Sequence, residues 1–160
     1  MEQIKVFLVD DQVLFINSLK TVLETKDDEI KVIGVCYNGQ DAVSFCKTNT
    51  PDLILMDVKM PGIDGVEATR LIIENQPEVK IIMLTTFDED EYVKNALKVG
   101  ARGYLLKDML PDDLIYAIKN VNKGLMYISP AFLFQESKKE DGGEKPSWYA
   151  NLNEKEIEIL

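Results

Sequence analysis

Two rhythms of apolar and polar residues alternate along this chain. Ile4 to Val9 is an apolar run broken only by Lys5, which predicts a buried strand closed by Asp10-Asp11. From Val13 to Glu24 the apolar residues Val13, Ile16, Leu19 and Leu23 recur at helical spacing. Ile30 to Tyr37 predicts a second strand, with Asn38-Gly39 as its turn. Gln40 to Thr48 follows as a helix burying Ala42, Val43 and Cys46, and Pro51 stops it. Leu53 to Met56 is the third strand. Asp64 is a natural N-cap for a helix over Gly65 to Asn75, and Pro77 lies just past its end. Val79 to Leu84 is the fourth strand. Asp88 to Val99 is a helix with Asp88, Glu89, Asp90 and Glu91 at the end where the macrodipole favours acids, and Gly100 closes it. Gly103 to Leu106 is the fifth strand. Pro111 opens a last helix reaching about Lys123, before Gly124.

Strand and helix alternate five times without an internal repeat. Continuous apolar strands between amphipathic helices imply an α/β fold with a five-stranded, doubly wound parallel sheet, covered on both faces. Ligands of such sheets sit beyond the carboxyl ends of the strands, near the topological switch point. The residues at those ends are therefore the candidates for chemistry.

Strand one ends in Asp10 and Asp11, strand three in Asp57, strand four in Thr85 and Thr86, and strand five in Lys107. Each alone has a plain structural use: a strand-end Asp caps a loop, and a lone Lys is a solvated charge. Together they form a complementary set. Three carboxylates at one sheet edge repel and should raise at least one pKa. A hard divalent cation relieves that repulsion. Oxygen ligands with retained waters suit Mg²⁺ rather than zinc. With the cation in place, Asp57 can attack phosphorus. Lys107 and the Thr85 hydroxyl can then meet the phosphoryl oxygens.

Composition narrows the alternatives. The 160 residues include no histidine, which removes histidine-based zinc sites and triads. With 18 basic and 28 acidic residues the formal charge is −10, which does not attract nucleic acid or anionic lipid. Cys36 and Cys46 sit in apolar settings and read as buried free thiols. No apolar stretch is long enough to span a bilayer and no signal peptide is evident, so the expected location is cytoplasmic. An FMN-binding flavodoxin-like protein would share the layer order. Its first loop cradles phosphate with hydroxyls and glycines, where this chain carries Asp10-Asp11. A Mg²⁺-dependent phosphatase would call for a spaced Asp-x-Asp pair, which is also missing here.

The stretches "FLVDDQ", "LILMDVKMPGIDG", "MLTTF" and "GARGYLLKD" resemble, in order and spacing, the receiver domain of bacterial two-component response regulators, over nearly all of Ile4 to Gly124. The resemblance implies that Asp57 accepts a phosphoryl group from a sensor histidine kinase. It makes Asp10, Asp11, Asp57 and the backbone carbonyl of Lys59 ligands for Mg²⁺, with Asp11 a direct one. Lys107 would pair with Asp57 and then with the phosphoryl group. Thr85 would move toward that group, leaving room for Tyr104 to swing inward, a two-state equilibrium biased by a local charge. Phosphorylation would promote a homodimer. Such a protein modifies itself and is not an enzyme in the ordinary sense. Two departures stand out. Gln12 follows the acidic pair where many members have histidine or a third acid, and it is expected to lie beside the site without ligating. Lys107-Asp108 replaces a frequent Lys-Pro, which leaves the isomer of that bond open.

Residues 1–127 thus read as a receiver and 128–150 as a linker, mixing charge, Gly-Gly and Pro around a short helix at Ala131 to Glu136. Residues 151–160 then start a new helix, with Asn153 as N-cap and Glu156 as its capping-box partner. "LNEKEIEIL" resembles the opening of the LuxR-type helix-turn-helix of the NarL/LuxR-type subfamily. The recognition helix of that domain is absent from the sequence as given, so DNA binding is expected only through the missing part. A receiver that acts through protein contacts alone is the alternative.

Overall fold

The structure, a computed structural model, describes residues 2–86 and 93–129 and the backbone alone of 90–92 and 157–158. Its elements are β1 (Ile4–Val9), α1 (Val13–Lys26), β2 (Ile30–Cys36), α2 (Gly39–Thr48), β3 (Leu53–Met56), α3 (Gly65–Asn75), β4 (Lys80–Thr85), α4 (Asp90–Lys98), β5 (Gly103–Leu106), α5 (Pro111–Asn122), β6 (Met126–Ile128) and β7 (Ile157–Glu158). The strands lie parallel in the order β2-β1-β3-β4-β5-β6-β7.

Successive residues of a strand point to opposite faces, and here both faces are buried. Val6 and Leu8 of β1, Leu53 and Leu55 of β3, and Leu105 of β5 pack under α1 and α5. Phe7 and Val9, Ile54 and Met56, and Ile81 and Met83 face the opposite way, under α2, α3 and α4. This double burial is why the strands read as continuous apolar runs rather than alternating ones.

The predicted N-cap of α3 is in place. Asp64 accepts a hydrogen bond from the Glu67 N–H at 2.8 Å, which starts α3 directly behind the β3 loop. Asn38 caps α2 in the same way through the Asp41 N–H. Asp64→Ala is expected to lower stability by about 1 kcal/mol, read by urea denaturation.

The expected parallel sheet is present, with an added edge. The sheet is wider than five strands, because the chain turns out of α5 at Gly124 (φ +101°) and runs along the open edge of β5. There the Tyr127 N–H donates to the Arg102 carbonyl and the Ser129 N–H to the Tyr104 carbonyl, and Tyr127 and Ile128 are fully buried. Three residues are too short to show a period of two. Of the expected C-terminal helix only the backbone of 157–158 is described, where Ile157 pairs with Met126 and Glu158 with Tyr127. Gly124 and Gly100 both have positive φ, as expected of helix closers. The expected helix at 131–136 lies outside the described residues, as do Asp88 and Glu89 and the side chains of Asp90 and Glu91.

Candidate functional site

The chain leaves β1 for β2 on one side and returns with β3 on the other, so the topological switch point lies between the carboxyl ends of β1 and β3. Register fixes what stands there. Val9 pairs with Met56, and the ladder extends one step further: the Asp57 N–H donates to the Val9 carbonyl at 2.9 Å. The Asp10 N–H donates to the Cys36 carbonyl at 3.1 Å. On the other side, the Lys107 N–H donates to the Thr85 carbonyl at 2.8 Å. Main-chain pairing alone therefore sets Asp10 beside Asp57 and Thr85 beside Lys107. Gly65 closes the back of the site. A Cβ there would lie 2.0 Å from the Asp57 carbonyl oxygen, so only glycine lets α3 approach this closely.

One carboxylate oxygen each from Asp10, Asp11 and Asp57 lies within 4.8 Å of the others. Asp10 and Asp57 are buried, while Asp11 is exposed. The Lys107 side chain is only 7% exposed, and its Nζ lies 2.6 Å from Asp10 Oδ2 and 3.5 Å from Asp57 Oδ2. It also donates to Gln12 Oε1 at 2.8 Å and stands 4.9 Å from the centre of the Phe15 ring. One ammonium thus faces three carboxylates. Burial first, and then the Asp10 charge, push the Asp57 carboxyl up to about 7; Asp11 adds to the rise, and Lys107 opposes it by charge and hydrogen bond. The expected strained titration is therefore present, and it falls on Asp57.

The donor set fits a hard cation. All three side chains offer oxygen, and the exposed Asp11 leaves one side open to water. Two oxygens bound to one Mg²⁺ stand at most about 4.2 Å apart, so the observed cluster needs only a small contraction.

The structure brings together five of the residues singled out from sequence: Asp10, Asp11, Asp57, Thr85 and Lys107. Thr85 ends β4 and is fully buried. Tyr104 is fully buried too, in the same core cluster as Val93 and Ala96 of α4. Lys59 follows Asp57 by two residues and its side chain is exposed. The Lys107-Asp108 bond is trans. One detail differs from the sequence reading: Lys107 sits closer to Asp10 than to Asp57. Gln12 lies beside the site, and its side-chain oxygen accepts a hydrogen bond from the Lys107 ammonium. Phe15 was missed altogether. Its only signal was its place one turn into α1, next to the acidic loop.

A doubly wound sheet with an acidic cluster and a buried lysine at its switch point defines a receiver-like α/β domain. The chain belongs to the response regulator receiver domain family, whose sequence pattern matches residues 6–119. It is 40% identical over 166 residues to the transcriptional regulatory protein LnrK of Bacillus subtilis, covering 98% of this chain and 75% of LnrK. It is also 40% identical over 158 residues to the response regulator UvrY of Escherichia coli, covering 98% of this chain and 72% of UvrY. The crystal structure of a LuxR-family two-component response regulator from Aurantimonas sp. SI85-9A1 superimposes with a TM-score of 0.74 at 26% identity, over 78% of this chain and 89% of that one.

Proposed function

We propose that this receiver takes a phosphoryl group from the phosphohistidine of a sensor histidine kinase onto Asp57, and so switches a DNA-binding transcription output. The P–N bond to imidazole breaks as a P–O bond to an Asp57 oxygen forms. The observation that carries this reading is the buried Asp57 carboxylate, with oxygens of Asp10 and Asp11 within 4.8 Å and the Lys107 ammonium at 3.5 Å.

In this proposal Asp10, Asp11, Asp57 and the Lys59 carbonyl hold Mg²⁺. When bound, the ion neutralises carboxylate charge and charge on the transferring phosphoryl oxygens. Lys107 shifts from Asp10 toward the phosphoryl group, and the Thr85 hydroxyl donates to one of its oxygens. Thr85 and Tyr104 form the switch, since β4 and β5 are adjacent and Tyr104 packs on α4. The chain acts on itself, as an acceptor that catalyses its own phosphorylation and slow dephosphorylation. Phosphorylation favours a homodimer. Residues 1–127 form the receiver, 128–150 a linker, and 151–160 the opening of a LuxR-type helix-turn-helix domain. LnrK is described as a transcriptional regulatory protein, which supports the DNA-directed output. No described helix is long and apolar enough to cross a membrane, which accords with work in the cytoplasm.

Acetyl phosphate with Mg²⁺ is expected to add one phosphoryl group to the chain. Borohydride reduces an acyl phosphate to an alcohol, so peptide mapping should find homoserine at position 57. Homoserine at another position, or none after Mg²⁺-dependent phosphorylation, overturns the assignment.

A further inference from the structure

We propose that Gln12 is a positioning residue that holds the Lys107 ammonium beside Asp57 when Asp10 turns its charge to a bound cation. The inference rests on Asp57 being the phosphoryl acceptor. An ammonium has three N–H donors on a flexible four-carbon stem, so its position is only as fixed as its partners make it. Here the partners are Asp10 at 2.6 Å, Gln12 Oε1 at 2.8 Å and, more distantly, Asp57 at 3.5 Å. Two of the three are carboxylates that the proposed cation site also uses. Once they share their charge with a cation, their hold on Lys107 weakens. Gln12 is the neutral partner, and nothing in the proposed site competes for its oxygen.

The backbone supports this role independently. Gln12 occupies the N-cap position of α1 in an extended conformation, yet its side chain makes no capping hydrogen bond. Its N–H is held instead by Asp10 Oδ1 at 2.8 Å, which fixes where the side chain starts. A Ser, Thr, Asp or Asn at this position would turn back to the helix N–H groups. Glutamine has the reach to cross 95 residues of sequence to Lys107 instead. A glutamate would reach as far but would add a fourth negative charge to the crevice.

Two variants of the full chain test this. Gln12→Met keeps the length and removes the acceptor, and Gln12→Glu keeps an acceptor. Gln12 is exposed, so both are expected to fold. With saturating Mg²⁺, Gln12→Met should lower the rate of phosphorylation by acetyl phosphate about fivefold to tenfold, with Mg²⁺ affinity changed less than about twofold. The ¹⁵N-ammonium signal of Lys107, slowed in exchange by its hydrogen bonds, should persist in the Mg²⁺-bound parent and in Gln12→Glu, and vanish in Gln12→Met. An unchanged rate, or an unchanged ammonium signal, in Gln12→Met overturns the proposal. If the parent itself takes up no phosphoryl group, the acceptor assignment fails, and the ammonium signal alone then decides whether Gln12 holds Lys107.

Discussion

Asp57→Asn is expected to abolish phosphoryl uptake while making the protein more stable in the absence of divalent cations at pH 8. The first effect follows because an amide oxygen is a poor nucleophile toward phosphorus. The second follows from the titration of Asp57, whose carboxyl rises from its ordinary 3.8 to about 7 in the fold. Between those values the folded state holds a proton that the unfolded chain has released. Stability therefore falls as pH rises through that window, and the full cost is present above about 7. Solvent on the open, Asp11 side of the crevice screens part of it, which leaves about 2–4 kcal/mol at pH 8. Asparagine has no charge to lose, so the variant should gain that amount. At pH 5 the gap should narrow. Adding Mg²⁺ should stabilise the parent strongly and the variant weakly. Urea denaturation at pH 5 and pH 8, in EDTA and in Mg²⁺, reads all of this. A variant no more stable than the parent at pH 8 in EDTA would show that the buried carboxylate carries no such cost.

The same electrostatics explain why the site could be read from the chain. Strands buried on both faces leave long apolar runs, and a charge that ends such a run is conspicuous. Asp10, Asp57 and Lys107 each end one, and parallel register carries all three to the same edge. What the sequence concealed was side-chain reach. The Gln12 to Lys107 contact spans the length of the domain and depends on a rotamer that no periodicity encodes. The preference of Lys107 for Asp10 over Asp57 is a matter of about an ångström, a difference no sequence pattern encodes. The added strand β6 escaped notice for a different reason. Met-Tyr-Ile after a helix-closing glycine is equally consistent with a loop, and only the open edge of β5 makes it a strand.

Gly65→Ala is expected to be among the most damaging single changes in the protein. From sequence, Gly65 looks like an ordinary first residue of a helix, and alanine is the better helix former there by about 1 kcal/mol. The structure reverses that preference. The added methyl would lie 2.0 Å from the Asp57 carbonyl oxygen and 2.9 Å from its carbon, and both are backbone atoms. They cannot rotate aside as a side chain could. The Gly65 N–H also donates to the Val58 carbonyl at 2.7 Å, which ties the start of α3 to the residue after Asp57. Relief therefore requires α3 to retreat or the Asp57 peptide to move off the β1 edge. The first opens the layer where Ala68 and Ile72 pack, and the second pulls the acceptor carboxylate away from Asp10. A loss of about 3 kcal/mol or more is expected, measured by urea denaturation. Mg²⁺ affinity, measured by calorimetry on the folded fraction, should fall at least about tenfold, because a displacement of an ångström spoils an octahedral ligand set. If Gly65→Ala instead matches the parent in both stability and Mg²⁺ affinity, the close approach of α3 to the acceptor loop is not what holds Asp57 in place.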